Sequence, residues 1–257
     1  MTTEAPAVHE ERLYVTWREP SGSIHPIGLL VRRVDGESEH FRFAYLKMAE
    51  TLDEFRPLAG LPNLHRLYES DELFPVFAHR VMPRSRPEFD ALARRVQLGA
   101  DADPFEVLAR SGGRRATDRV EVFAPPRLTE EGRSSCHFFV RGIRHLPEAA
   151  PVVAALRAGE VLDLVDEPEN RYNARAVLLR SDGSAIGWIP DYLVDHVHQL
   201  RGLNGADPTV IVEHVNDADS PSHQRVLCRL DAPWPLASFE PFDDARFEPL
   251  ADVWGRN

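Results

Sequence analysis

The chain has 257 residues and a formal net charge of −11, with 43% hydrophobic and 28% charged residues. This is an ordinary globular composition, long enough for two domains of about 100–130 residues each. No apolar run nears the roughly 18–20 residues of a membrane span, and the acid excess argues against wrapping duplex nucleic acid through many phosphates, while leaving room for a local basic pocket. The opening MTTEAPAVHEER lacks the basic-then-apolar layout of a signal peptide, and the two cysteines, Cys136 and Cys228, form no CxxC pair. A cytoplasmic protein with no membrane contact is expected.

Residues 1–11 are polar and expected to fray. Residues 12–17 and 27–33 read as strands on either side of a Pro20-Ser21-Gly22-Ser23 turn. Phe41, Phe43 and Tyr45 alternate onto one face, which completes a three-stranded meander. Gly60 and Pro62 make residues 58–64 a loop, and Leu73, Phe74, Phe77 and Val81 mark a helix ending near Pro83. Phe89, Leu92, Ala93 and Val96 recur at helical spacing. Asp103-Pro104-Phe105-Glu106 then supplies an acidic cap and a proline at the first helical position. Gly112-Gly113 stops that helix, and residues 118–123 form a further strand.

The segments Leu13-Tyr14-Val15-Thr16-Trp17, Gly28-Leu29, Phe43-Ala44-Tyr45, Leu61-Pro62, Leu73-Phe74-Pro75-Val76-Phe77, Ser85-Arg86 and Asp103-Pro104-Phe105 are similar, in order and spacing, to the N-terminal subdomain of HipA-type kinases. The resemblance covers residues 12–125 and stops there. The kinase body that follows in that family has no counterpart, so kinase activity does not carry over. Arg80-Val81-Met82-Pro83 also departs from the family's Asn-Leu-Leu-Pro.

Residues 126–135 are polar and rich in breakers, and read as a linker. Beyond it, residues 138–140 form a strand and residues 148–157 a helix. Residues 161–165 form a strand broken by Glu167-Pro168-Glu169-Asn170, since proline donates no amide. Residues 176–179 and 184–189 make a hairpin through Asp182-Gly183, a pair suited to positive φ. Pro190 and Asp191 open a helix over residues 191–200, with Leu193, Val194, Val197 and Leu200 on one face. Strands at 209–212 and 225–230 flank a polar loop at 215–224.

Phe138-Phe139-Val140-Arg141-Gly142-Ile143-Arg144, together with Asn170, Tyr172, Ala176, Gly187 and Pro190 in register, resembles a HIRAN domain over residues 136–235. The expected fold class is therefore α+β: an N-terminal three-stranded meander with helices, followed by a mostly β HIRAN domain shaped as an OB-like barrel. The resemblance implies capture of the 3′ end of single-stranded DNA, with aromatic stacking, an acceptor for the terminal hydroxyl and one or two cations on the phosphate. Arg144 matches the phosphate-binding arginine. His145 and Leu146 fall where a strong end-binder has two aromatics. Asn170, Tyr172 and Asn173 match an Asn-x-Tyr-Asp segment, with an amide replacing the acid. Arg175 adds a cation, Trp188 stands where that member has a ring, and His223 belongs to the loop expected at the pocket rim.

Each of these residues also has a purely structural reading. Tyr172 can pack under the hairpin, Trp188 can be core, and Asn170 and Asn173 are common turn residues. Asp163, Asp166, Glu167 and Glu169 read as a solvated edge. His196 and His198 are two apart on a helix and cannot pair on zinc, and Cys136-His137 lacks a second ligand pair. Ser111-Gly112-Gly113 lacks the Lys-Ser/Thr of a phosphate loop, and no G-x-S-x-G elbow occurs. No metal, cofactor or enzymatic constellation is expected. The tail, residues 236–257, alternates acids with Phe239, Phe242, Phe247 and Trp254; it reads as a strap on the second domain or as a short partner-binding motif. Two functions follow: a module engaging single-stranded nucleic-acid ends, with residues 12–125 recruiting a protein, or a regulatory adaptor of a separate HipA-type kinase with no nucleic-acid binding.

Overall fold

The computed structural model describes residues 9–36 and 38–254; residues 1–8, part of the stretch expected to fray, lie outside the described residues. The chain forms two compact units. One takes the chain up to Arg86, Asp103–Pro125 and the chain from Asp243; the other takes Pro87–Ala102 and Pro126–Phe242. Both are built on antiparallel sheets, so the protein is α+β and mostly β. No described helix is long and apolar enough to cross a membrane.

The first unit begins with β1 (His9–Arg18), β2 (Ile24–Asp35) and β3 (Ser38–Tyr45), the expected meander, with β1 already paired from His9. β4 (Tyr68–Ser70) adds to its β3 edge. The helix expected up to Pro83 is only α1 (Pro75–Ala78). Past it the amides of Arg80 and Val81 bond three residues back, to Phe77 and Ala78, and Arg80 donates to the Val76 carbonyl, which ends the helix as tight turns. α2 (Phe89–Arg95) follows in the chain but belongs to the second unit. α3 (Pro104–Ser111) carries a complete capping box between Asp103 and Glu106 and ends at Gly112 with φ +77°. β5 (Val120–Phe123) pairs with β1, giving the order β4-β3-β2-β1-β5. Leu13, Val15, Leu30, Phe43, Tyr45, Phe77, Phe105 and Leu108 lie in the core. Arg32 is nearly buried among them, because Glu11 and Asp103 receive its guanidinium and the Phe105 ring lies against it.

The second unit holds β6 (Arg127–Leu128), β7 (Arg133–Phe139), α4 (Ala149–Ala155), β8 (Val161–Asp166), β9 (Val177–Ser181), β10 (Ser184–Trp188), α5 (Asp191–Asn204), β11 (Thr209–Val215) and β12 (Val226–Pro233). Its seven strands run β10-β9-β8-β11-β12-β7-β6. The expected barrel is not closed. β7 ends at Phe139, and the chain meets β10 again at one point only, where Arg141 and Trp188 exchange backbone hydrogen bonds of 2.9 Å each. Gly142, at φ +73°, then turns the chain out of the sheet into the 3-10 turn Ile143–His145. The hairpin turn holds Asp182 at φ +46° and Gly183 at φ +79°, as its sequence required. α5 starts after Pro190 but runs past the expected end to Gly205, whose φ of +66° stops it.

Three placements differ from the sequence reading. Residues 126–135, expected as a linker, carry β6 and the start of β7, which pair with each other. Val96, Leu92 and Leu98, on and just past α2, cover Phe139 and Leu227, so this segment closes one apolar patch of the second unit. The tail is docked, but not on the second unit alone. Phe239 and Phe242 pack on His196 of α5, whereas Phe247 stacks edge-on against Tyr14 and Trp254 lies under Arg12 in the first unit. Backbone bonds from Lys47 to Glu248 and from Leu250 to Tyr45 fasten that second stretch.

Candidate nucleic-acid interface

The local geometry starts at two glycines. Gly142 lies flat under the Trp188 indole: a Cβ there would stand 2.3 Å from Trp188 Cε3. Gly187, at φ +150°, brings the neighbouring backbone equally close, since its Cβ would meet the Arg141 carbonyl oxygen at 2.4 Å. Together they seat the indole as a half-buried wall, with one face on backbone.

The polar edge of that wall is held by Glu167. Trp188 Nε1 donates to Glu167 Oε2 at 2.7 Å, and Asn170 Nδ2 donates to the same oxygen at 2.5 Å. Asn170 Oδ1 accepts from the backbone amides of Tyr172 (3.0 Å) and Asn173 (3.2 Å), an Asx turn that fixes the start of the loop. Asn173 uses its amide inward too: Nδ2 donates to Asp191 at 2.5 Å, and Oδ1 accepts from the Arg175 amide at 2.9 Å. Arg175 is ion-paired with Asp195, and His198 Nε2 donates to the Arg175 carbonyl at 2.9 Å. Asp191, Asp195 and His198 follow one face of α5 and strap the 170–176 loop onto it.

Tyr172 is therefore not packed under the hairpin. It is 61% exposed, and the Arg171 guanidinium lies 4.4 Å from its ring centroid. Arg144 and His145 are exposed on the turn that follows Gly142, with Arg144 Nε donating to His145 Nε2 at 3.2 Å. Neither Arg144 nor Arg171 has a carboxylate partner among the described residues. His223 sits on the 3-10 turn Ser222–Gln224, which packs against Ile143–His145.

One continuous set of contacts thus links the Gly142–His145 turn, Trp188, Glu167, Asn170 and Tyr172. Arg175 stands apart from the exposed cations, because its charge is neutralised by Asp195. Two participants were not singled out from sequence. Glu167 is no solvated edge residue, since the strand carrying Trp188 folds over it; Asp166 stays exposed, as expected, while pairing with Arg201. Arg171 has no signal beyond its position next to Tyr172. Chemically, the surface offers an exposed ring, two uncompensated guanidiniums and a fixed carboxylate, a set suited to a base, a phosphate and a hydrogen-bond donor.

The fold and these contacts define an antiparallel α+β protein with one polar-aromatic surface on its second unit. No protein-family model and no curated protein matches the chain. Among solved structures, the chain is similar to a protein from Lactobacillus plantarum, at 20% identity and a TM-score of 0.32, over 39% of this chain and 96% of that one. It is also similar to the HIRAN domain of human HLTF, at 16% identity and a TM-score of 0.29, over 40% of this chain and 78% of that one.

Proposed function

We propose that the second unit binds the 3′ end of a single nucleic-acid strand. The observation that carries this is the exposed Tyr172 ring, backed by Arg171 and joined through Asn170, Glu167 and Trp188 to the turn bearing Arg144 and His145. A terminal base stacks on Tyr172, and Arg144 meets the adjoining phosphate. The pair Arg175–Asp195 and the inward-turned Asn173 position the loop rather than touch the strand.

Few phosphates meet a cation here, so affinity falls only gently with salt, with a log–log slope of about −1 to −2. The test is an anisotropy titration of the full chain with 5′-labelled oligonucleotides ending in 3′-hydroxyl or 3′-phosphate. Tighter binding of the hydroxyl end, weakened about ten-fold by Tyr172→Ala, supports the reading. Equal affinity for both ends, or none for either, overturns it.

A second reading is favoured by a separate feature of the first unit. A cleft lined by Arg18, Arg114, Arg115 and Arg119, with Asp118 and Glu121, suits an acidic segment of a partner protein. The guanidiniums of Arg115 and Arg119 have no partner among the described residues. In this adaptor reading Arg115→Glu with Arg119→Glu abolishes a protein complex while oligonucleotide binding is absent from the wild type. If the wild type binds oligonucleotide ends and the double variant keeps every protein partner, the adaptor reading fails.

A further inference from the structure

Residues 243–254 are seated on the first unit as a separate peptide would be. In that unit's sheet the paired residues Leu13, Leu30 and Phe43 face the core, so Tyr14, Leu29 and Ala44, one position along, face the other way. These three are buried as well. Phe247 stands edge-on to the Tyr14 ring at 4.9 Å, and the 3-10 turn that bears it, Ala245–Phe247, packs against β2. Further along, the Val253 carbonyl accepts from Arg42 at 3.4 Å, and the Arg12 guanidinium lies 4.2 Å from the Trp254 ring centroid. Between them the backbone adds to the end of β3. Leu46 and Pro249 form an antiparallel bridge, flanked by the bonds from Lys47 to Glu248 and from Leu250 to Tyr45. Lys47 Nζ also meets the Glu248 carboxylate at 2.6 Å. Main-chain bonds, aromatic anchors and opposite charge together are how a sheet takes up an extended peptide.

The chain reaches this seat through a strained hinge. Phe242 closes the second unit, and Asp243 rejoins the first. Phe242 makes that crossing at φ +64°, an outlier for a bulky residue. Its ring is held 5.7 Å from that of His196, and Pro241 fixes its own φ, so the strain cannot be relaxed from the preceding side. A short hinge under strain, leading to a segment with its own docking surface, favours exchange with another copy.

We infer that the sheet face bearing Tyr14, Leu29 and Ala44 docks residues 243–254 of a second copy, so that two chains exchange this segment and form a dimer. Every contact of the segment is kept in the exchanged pair. The hinge is what changes: opened, Phe242 returns to negative φ. Relief at two hinges favours the dimer by about thirty-fold over an unstrained hinge. Against it stands the effective concentration of a segment on its own chain, which is millimolar for a short linker, so the dimer grows with protein concentration.

The test mixes two full chains carrying different tags, one with Lys47→Cys and the other with Glu248→Cys. Both positions are about half exposed, and each substitution removes only a surface ion pair. The native Cys136 and Cys228 are buried and do not compete. After incubation at millimolar concentration and oxidation, a covalent dimer carrying both tags is expected on a non-reducing gel, above the level either variant gives with wild type. Light scattering of the wild type should show a monomer–dimer equilibrium. Inserting Gly-Ser-Gly-Ser after Phe242 relaxes the hinge and should weaken that dimer about thirty-fold. A monomer at every concentration, a dimer without the mixed cross-link, or a dimer equally strong after the insertion overturns the inference.

Discussion

Replacing Gly142 with alanine probes the seat of the indole directly. The new Cβ would stand 2.3 Å from Trp188 Cε3 and 2.6 Å from Cζ3, at a φ of +73°. The left-handed backbone alone costs alanine about 1 kcal/mol, and overpacking a fixed ring adds about 1–3 kcal/mol. The ring has little freedom to retreat, because Glu167 holds Nε1 at 2.7 Å and both backbone groups of Trp188 bond to Arg141. Gly142→Ala should therefore lower the unfolding free energy by about 2–4 kcal/mol. Gly183→Ala is the internal control: its φ is +79° and its Cβ would meet nothing within 4 Å, so it carries the backbone cost alone, about 1 kcal/mol. Urea denaturation of the full chain, followed by circular dichroism and compared at equal m-values, gives both numbers. Equal destabilisation by the two substitutions would refute the packing of Trp188 on Gly142.

His196 is 2% exposed, sits between Phe239 and Phe242, and neither ring nitrogen has a hydrogen-bond partner among the described residues. Burial lowers its pKa from 6.5 to about 4. A base whose folded pKa is depressed binds its proton first in the unfolded chain, so stability is full above pH 6.5 and drains as pH falls toward 4, by up to about 3 kcal/mol. His196→Leu should flatten that acid loss and raise stability at neutral pH by about 1–2 kcal/mol; an unchanged acid limb in denaturation curves between pH 7 and 4 rules this out. A fragment of residues 126–242 lacks α2 and uncovers Phe139 and Leu227, so it should melt without cooperativity, whereas residues 87–242 should melt as one transition; matching melts would show α2 to be dispensable. Arg32→Met removes the guanidinium that the largely buried Glu11 faces, while Asp103 keeps the amides of Phe105 and Glu106, and a loss of about 3 kcal/mol in thermal unfolding is expected, with a shift under about 1 kcal/mol contradicting it.

The features legible in the sequence are those that local chemistry decides. Alternation set the β1–β3 meander, Asp103 and Glu106 announced the capping box of α3, Asp182-Gly183 announced the hairpin, and Pro190-Asp191 the start of α5. Features that depend on what lies opposite were not legible. The α2 pattern shows which face is apolar but not that Phe139 and Leu227 fill it. Glu167 sits in an acidic run and looks solvated until Trp188, twenty-one residues on, folds over it. Barrel closure depended on how far β7 extends, and Gly142 ends it early. For the site, the loop from Asn170 to Arg175 was visible as a unit, yet its division into an exposed ring and an inward amide knot follows from three side chains of α5.

The most direct measurement is an NMR titration of the full chain with a short single-stranded oligonucleotide bearing a 3′-hydroxyl. The Trp188 indole N–H, held by Glu167, and the backbone amides of Gly142, Arg144 and Tyr172 should shift together and saturate with one affinity. Resonances that stay fixed there while others move, or a spectrum unchanged throughout, would contradict an end-binding surface on the second unit.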